Sequence, residues 1–116
     1  MLTAFIDDGY TEETFLPEID GISPVINFTF RPMTAAHFSD YIQVQNRQTT
    51  TEAKAESAKR IQRHLQAWDI RNVKGDPIPL TAENILRLKQ PVFTGLWEIV
   101  TCQRAGGANL AADSKN

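Results

Sequence analysis

Apolar and polar side chains alternate most cleanly from Val25 to Arg31, where Ile26, Phe28 and Phe30 point one way and Asn27, Thr29 and Arg31 the other. A period of two is that of a half-buried strand. Upstream, Tyr10, Thr11, Thr14, Phe15 and Ile19 are β-favouring, and Pro17 marks an edge or an end because it has no N–H for a ladder. Asp20-Gly21 supplies the reversal between them, since glycine accepts the positive φ of a tight turn. The pair predicts a hairpin with one apolar face. Two strands alone are marginal in water, so helices must cover that face. Leu2, Ala4 and Ile6 signal one further short strand.

After Pro32 the period lengthens. Thr34 is a suitable N-cap, and Phe38, Tyr41 and Ile42 recur at helical spacing as one apolar stripe. The polar stretch Gln43 to Thr51 ends in three threonines, whose β-branching disfavours helix. The pattern predicts a break there, with Thr49 and Glu52 placed to form a capping box that restarts the helix. One continuous helix from Thr34 to Trp68 is the alternative. Ala55, Ala58, Ile61, Leu65 and Trp68 then follow a 3-4 spacing, which predicts an amphipathic helix running to Trp68. Gly75, Pro77 and Pro79 make Asp69 to Leu80 a loop. Thr81 caps a short helix holding Ile85, Leu86 and Leu88, and Pro91 sits in the first turn of another, Pro91 to Cys102. That last helix is apolar over more than half its circumference through Val92, Phe93, Leu96, Trp97, Ile99 and Val100, so it should be the most buried element.

These elements predict an α+β fold, mainly α: an N-terminal β-hairpin followed by a small bundle of three to four helices. The expected organisation is a single domain over residues 1–104, with a hairpin region (1–33), a helical region (34–104) and a flexible tail (105–116). With 116 residues, 41% of them apolar and 22% charged, the chain has the length and composition of one ordinary globular domain.

Charge changes the picture by its distribution. Residues 1–30 contain six acids and no Lys or Arg, while the rest holds eight acids and twelve bases, so a segment of −6 precedes one of +4. Such a split suffices for intramolecular attraction or for one subunit to meet the next head to tail; an acidic solvated arm is the plainer reading. A single cysteine, Cys102, excludes an internal disulfide and fits a reducing compartment. No run approaches the ~20 apolar residues of a membrane span, and the start of the chain lacks the basic and apolar pattern of a signal peptide.

Candidate chemistry is sparse. His37 and His64 stand 27 residues apart with Cys102 alone, too few and too scattered for structural zinc. Cys102 follows the most apolar helix and reads as a small core hydrophobe before it reads as a nucleophile. No phosphate-binding glycine loop is present: Gly106-Gly107 lacks the Lys-Ser/Thr that would follow. Lys54, Lys59, Arg60, Arg63 and Arg71 could form a basic face, but acids intersperse them and the chain is acidic overall (pI ≈ 5.6), a weak footprint for nucleic acid. No catalytic, cofactor-binding or metal-binding set is expected.

One resemblance is sharper. LQAWDIRNVKGDPIPLTAENILRLKQPVFTGLWEIV, Leu65 to Val100, resembles the end of the helical domain of small tail assembly chaperones of long-tailed bacteriophages and prophages. Those proteins show a helix ending in a Trp-Asp-like pair, a Gly-Pro-rich link and a final helix. VINFTFRPMTAAHFSDY is similar to their strand entering a helix start. The resemblance implies a non-catalytic protein of the host bacterial cytoplasm that associates with the tape measure protein and recruits tail tube subunits. It also implies that relatives make an extended form by ribosomal frameshifting near this chain's end. The contact residues expected are Phe38, Tyr41 and Ile42 of the apolar stripe with Lys59, Arg60 and Arg63 of the basic face, none fixed by a family motif. The alternative from another class is a structural virion component, a head-tail connector or minor tail protein.

Overall fold

The computed structural model describes residues 3–47 and 49–107. Glu12–Leu16 forms β1 and Ile26–Phe30 forms β2, paired antiparallel with Glu12 opposite Phe30 and Leu16 opposite Ile26. β1 stops at Pro17, and Gly21 takes φ +72 in the turn closed by the Ile19–Ser23 bridge. The alternation of β2 reads out directly: Ile26, Phe28 and Phe30 are buried while Asn27 and Arg31 are exposed. The extra strand expected through Leu2, Ala4 and Ile6 is not formed over Thr3–Tyr10, which bends and turns at Asp8-Gly9 instead; Leu2 lies outside the described residues. Gly9 at φ +79 makes that turn.

The helical half is broken at the threonines. α1 spans Ala35–Gln45, with the Thr34 hydroxyl accepting from His37 N, and α2 spans Thr50–His64. The break is fixed by a complete capping box: Thr49 Oγ1 accepts from Glu52 N at 3.2 Å and Thr49 N donates to Glu52 Oε1 at 2.8 Å. These bonds hold the Glu52 carboxyl below its ordinary pKa, the backbone N–H of Thr49 contributing most.

The reading of a helix running to Trp68 is corrected. α2 ends at His64, and the chain passes without a loop into a third strand, β3 (Leu65–Trp68), antiparallel to the free edge of β2. The ladder carries a bulge: Trp68 faces Phe28, Ala67 faces Thr29, and Leu65 faces Phe30, so Gln66 is the inserted residue. The bulge places Leu65 and Trp68, three apart, on the core side and leaves Gln66 and Ala67 exposed. Satisfying β2's unpaired edge outweighed one more helical turn.

α3 (Ala82–Ile85) is a single turn capped by Thr81, shorter than read, with Leu86 as its C-cap. α4 (Gln90–Val100) starts with Pro91 in its first turn and buries Val92, Phe93, Gly95, Leu96, Ile99 and Val100. It crosses β1 at Gly95, where an added Cβ would stand 2.7 Å from Leu16 Cδ1. One core cluster joins the inner face of the sheet to Ala58 and Ile61 of α2, Ile85 of α3 and α4, with Trp68 and Trp97 packed at its margin. The architecture is thus α+β, a hairpin extended to the sheet β1-β2-β3 and covered by helices. Gly106 lies against Thr14 and Gly107 against Phe15 of β1; the remainder of the expected tail, 108–116, lies outside the described residues. Among the described residues no helix is long and apolar enough to cross a membrane.

Candidate functional site

The seam between α1 and α2 gathers two of the expected contact residues and encloses them. Tyr41 is buried, its hydroxyl 2.6 Å from Ser57 Oγ and its ring 4.6 Å from that of Trp97. Arg60, 9% exposed, donates to Asp40 of α1 at 2.9 Å and to Glu56 of its own helix at 2.8 Å, with its Cζ 5.4 Å from the Tyr41 ring. Burial opposes the guanidinium's charge, yet the bonds to Asp40 and Glu56 outweigh it and raise its pKa above the usual arginine value. Tyr41 and Arg60 therefore stiffen the seam from inside. Phe38 and Ile42 are half-buried, and Lys59 and Arg63 stand exposed on α2. Lys54, from the same basic run, lies 4.3 Å over the Phe93 ring and donates to Gln90 Oε1.

The fold does bring the two histidines together. Their rings meet edge to face at 5.9 Å, and His64 Nδ1 lies 2.8 Å from the Arg31 carbonyl oxygen. Burial lowers the His64 pKa against that hydrogen bond, and the charges of His37, Arg31 and Arg60 add to the lowering. Cys102, expected as a small core hydrophobe, is instead exposed, at φ +63 just past the end of α4; its Sγ, 3.9 Å from the Met33 carbonyl, is partly covered, and that partial burial with the nearby Glu12 charge raises the thiol's pKa. A thiol so held is protonated and a poor nucleophile at neutral pH. Asp69 is occupied by Asn27, whose backbone N–H and Nδ2 donate to its two carboxylate oxygens. Among the described residues no group of three or more His, Cys, Asp or Glu is placed to hold a metal ion.

A groove at the Ile26 end of the sheet was not foreseen. About 610 Å³ in volume, it is walled by three separated segments, residues 22–26, residues 69–73, and residues 87–89 with Val92. Ile22 and Val25 are exposed and Val73 wholly so, with Ile70 and Leu88 half-buried beneath. Arg71, Arg87 and Lys89 stand at its rim. Arg71 donates to the Gly75 carbonyl and Lys89 to the Ile22 carbonyl, and among the described residues none of the three is within ion-pair distance of a carboxylate. The sequence signal was Val73 and Ile70 in a turn-rich link, which means nothing until the other two segments are placed beside it.

No family model, curated protein or solved structure matches the chain.

Proposed function

We propose that the chain is a non-catalytic tail assembly chaperone of a long-tailed bacteriophage or prophage. It acts in the host bacterial cytoplasm, associates with the tape measure protein and helps recruit tail tube subunits. The observation that carries the reading is the stretch Leu65 to Val100 through which the sequence resembles that family. Its punctuation is what organises this fold: Trp68 closes β3 with its Nε1 bonded to the Ile78 carbonyl, Gly75 turns at φ +88, Thr81 caps α3 and Pro91 opens α4. The client-facing surface in this reading is the outside of the α1–α2 layer. Lys59 and Arg63 reach from it into solvent, and Phe38 and Ile42 offer partly covered apolar area. Tyr41 and Arg60 act from beneath, as the scaffold of the seam.

A small folded layer of this kind suits transient shielding of a long helical client, because it offers apolar contact and charge together without irreversible burial. The test is co-expression with the tape measure reading frame that would neighbour this gene. The expected result is a soluble complex that co-purifies, weakened by Lys59→Glu with Arg63→Glu. A client that stays insoluble with the chain present overturns the reading, and recovery of the chain in mature particles replaces it with a structural virion component.

A further inference from the structure

Two features are left unused by that reading, and they match each other. The arm Thr3–Tyr10 carries Phe5, 70% exposed, followed by exposed Asp7 and Asp8, and holds no basic residue. Its hydrogen bonds are local, from Phe5 N to Thr3 Oγ1 and from Tyr10 N to the Asp7 carbonyl. The groove walled by Ile22, Val25 and Val73 offers the converse, an apolar floor bordered by three cations against one carboxylate, Asp69, whose two oxygens already accept from Asn27. We propose that the arm of one copy of this chain docks in the groove of a second copy, Phe5 entering the apolar floor and Asp7 and Asp8 meeting Arg71 and Arg87.

The occupant is a second copy because of where the sheet puts the two features. The arm leads into β1 at Glu12, which pairs with Phe30 at one end of β2, and Thr3 and Ala4 lie there beside Ile99 and Cys102. The groove opens at Ile26, the other end of β2. A copy's arm thus lies away from its own groove. The contact is head to tail, so each copy still presents a free arm or a free groove, and association continues into a ring or a short filament. An arm of this length is far smaller than the roughly 20 to 30 residues a side of a stable interface, which makes the association weak and concentration-dependent. Its charged half is exposed and therefore screened by salt. The inference stands independently of the chaperone reading, since it concerns only this chain with itself.

Sedimentation velocity on the full chain over a concentration series, at low and high ionic strength, tests it. The expected result is an average mass that rises with concentration and falls with salt. Phe5→Ala weakens association by about tenfold or more, from the lost burial of an aromatic side chain. Asp7→Lys with Asp8→Lys reverses the arm, and Arg71→Glu with Arg87→Glu reverses the groove while sparing Lys89, which holds the Ile22 carbonyl. Each doubly reversed protein is monomeric alone, and an equimolar mixture of the two associates again. Circular dichroism checks that both fold, as expected for exposed positions. A full chain that stays monomeric at every concentration overturns the proposal, as does a mixture that fails to reassociate. A monomer whose groove variant instead loses a tape measure client assigns the groove to the client and overturns it too.

Discussion

Arg60→Ala removes the cation that ties α1 to α2 and leaves two carboxylates behind. The Arg60 side chain is 11% exposed and that of Glu56 16%, whereas Asp40 is 65% exposed. Breaking a fully buried pair by deleting one partner costs about 3–5 kcal/mol. The Asp40 arm is largely solvated and adds about 0–1 kcal/mol, and Glu56 can turn outward from its helix to regain water. The expected loss is therefore about 2–3 kcal/mol, between the buried and the surface limits. For a domain of this length that corresponds to a fall in Tm of roughly 10 °C. Urea unfolding followed by tryptophan fluorescence measures it, since Trp97 packs at a tilt against Tyr41 within the same seam. Replacing the pair together, Glu56→Leu with Arg60→Met, should return stability to within about 1 kcal/mol of the native chain, because no buried charge is then stranded. A cost for Arg60→Ala below about 0.5 kcal/mol would refute the reasoning, since an ordinary surface bridge behaves that way.

Other expectations concern the core and the acid limb. Gly95→Ala brings a methyl to 2.7 Å from Leu16 Cδ1 and 2.8 Å from an Arg104 guanidinium nitrogen, so both side chains must shift and thermal melts should show a loss of about 1–3 kcal/mol. Trp68→Phe keeps an aromatic ring, smaller than the indole, but strands the Ile78 carbonyl, bonded at 2.7 Å, at a cost of at least about 1 kcal/mol by denaturant titration. The folded-state pKa of His64 lies below its ordinary value of 6.5, so the unfolded chain binds the proton first. Its contribution is therefore fully present above about pH 6.5 and is lost as pH falls from there to the lower folded pKa. His64→Gln should flatten the stability-pH curve as pH falls below about 6.5, and an unchanged slope there would remove the histidine from the account.

The sequence carries the local punctuation of this fold well and its long-range pairing poorly. Thr49 with Glu52, Thr34, Thr81 and Pro91 each fix a helix start within a few residues, because a cap satisfies backbone groups that are neighbours in sequence. The alternation of Ile26, Phe28 and Phe30 was equally plain. β3 was not, and the reason is its bulge. With Gln66 inserted, Leu65 and Trp68 share a face at a spacing of three, which is also the spacing of an α-helix, so the helical stripe from Ala55 runs on without a visible stop. The deciding factor was an open strand edge nearly forty residues upstream. Among the expected contact residues, Tyr41 and Arg60 could be read as sticky or basic, but their enclosure depended on Asp40 and Trp97 arriving from other helices. The groove depended on three loops meeting, which no periodicity records.

The chaperone reading is tested most directly by deleting the gene from a phage that carries it, complementing in trans, and counting tailed particles by electron microscopy. Filled heads without tails, restored to tailed particles by the complementing copy, are the predicted result. Normal tails in the absence of the chain would contradict it.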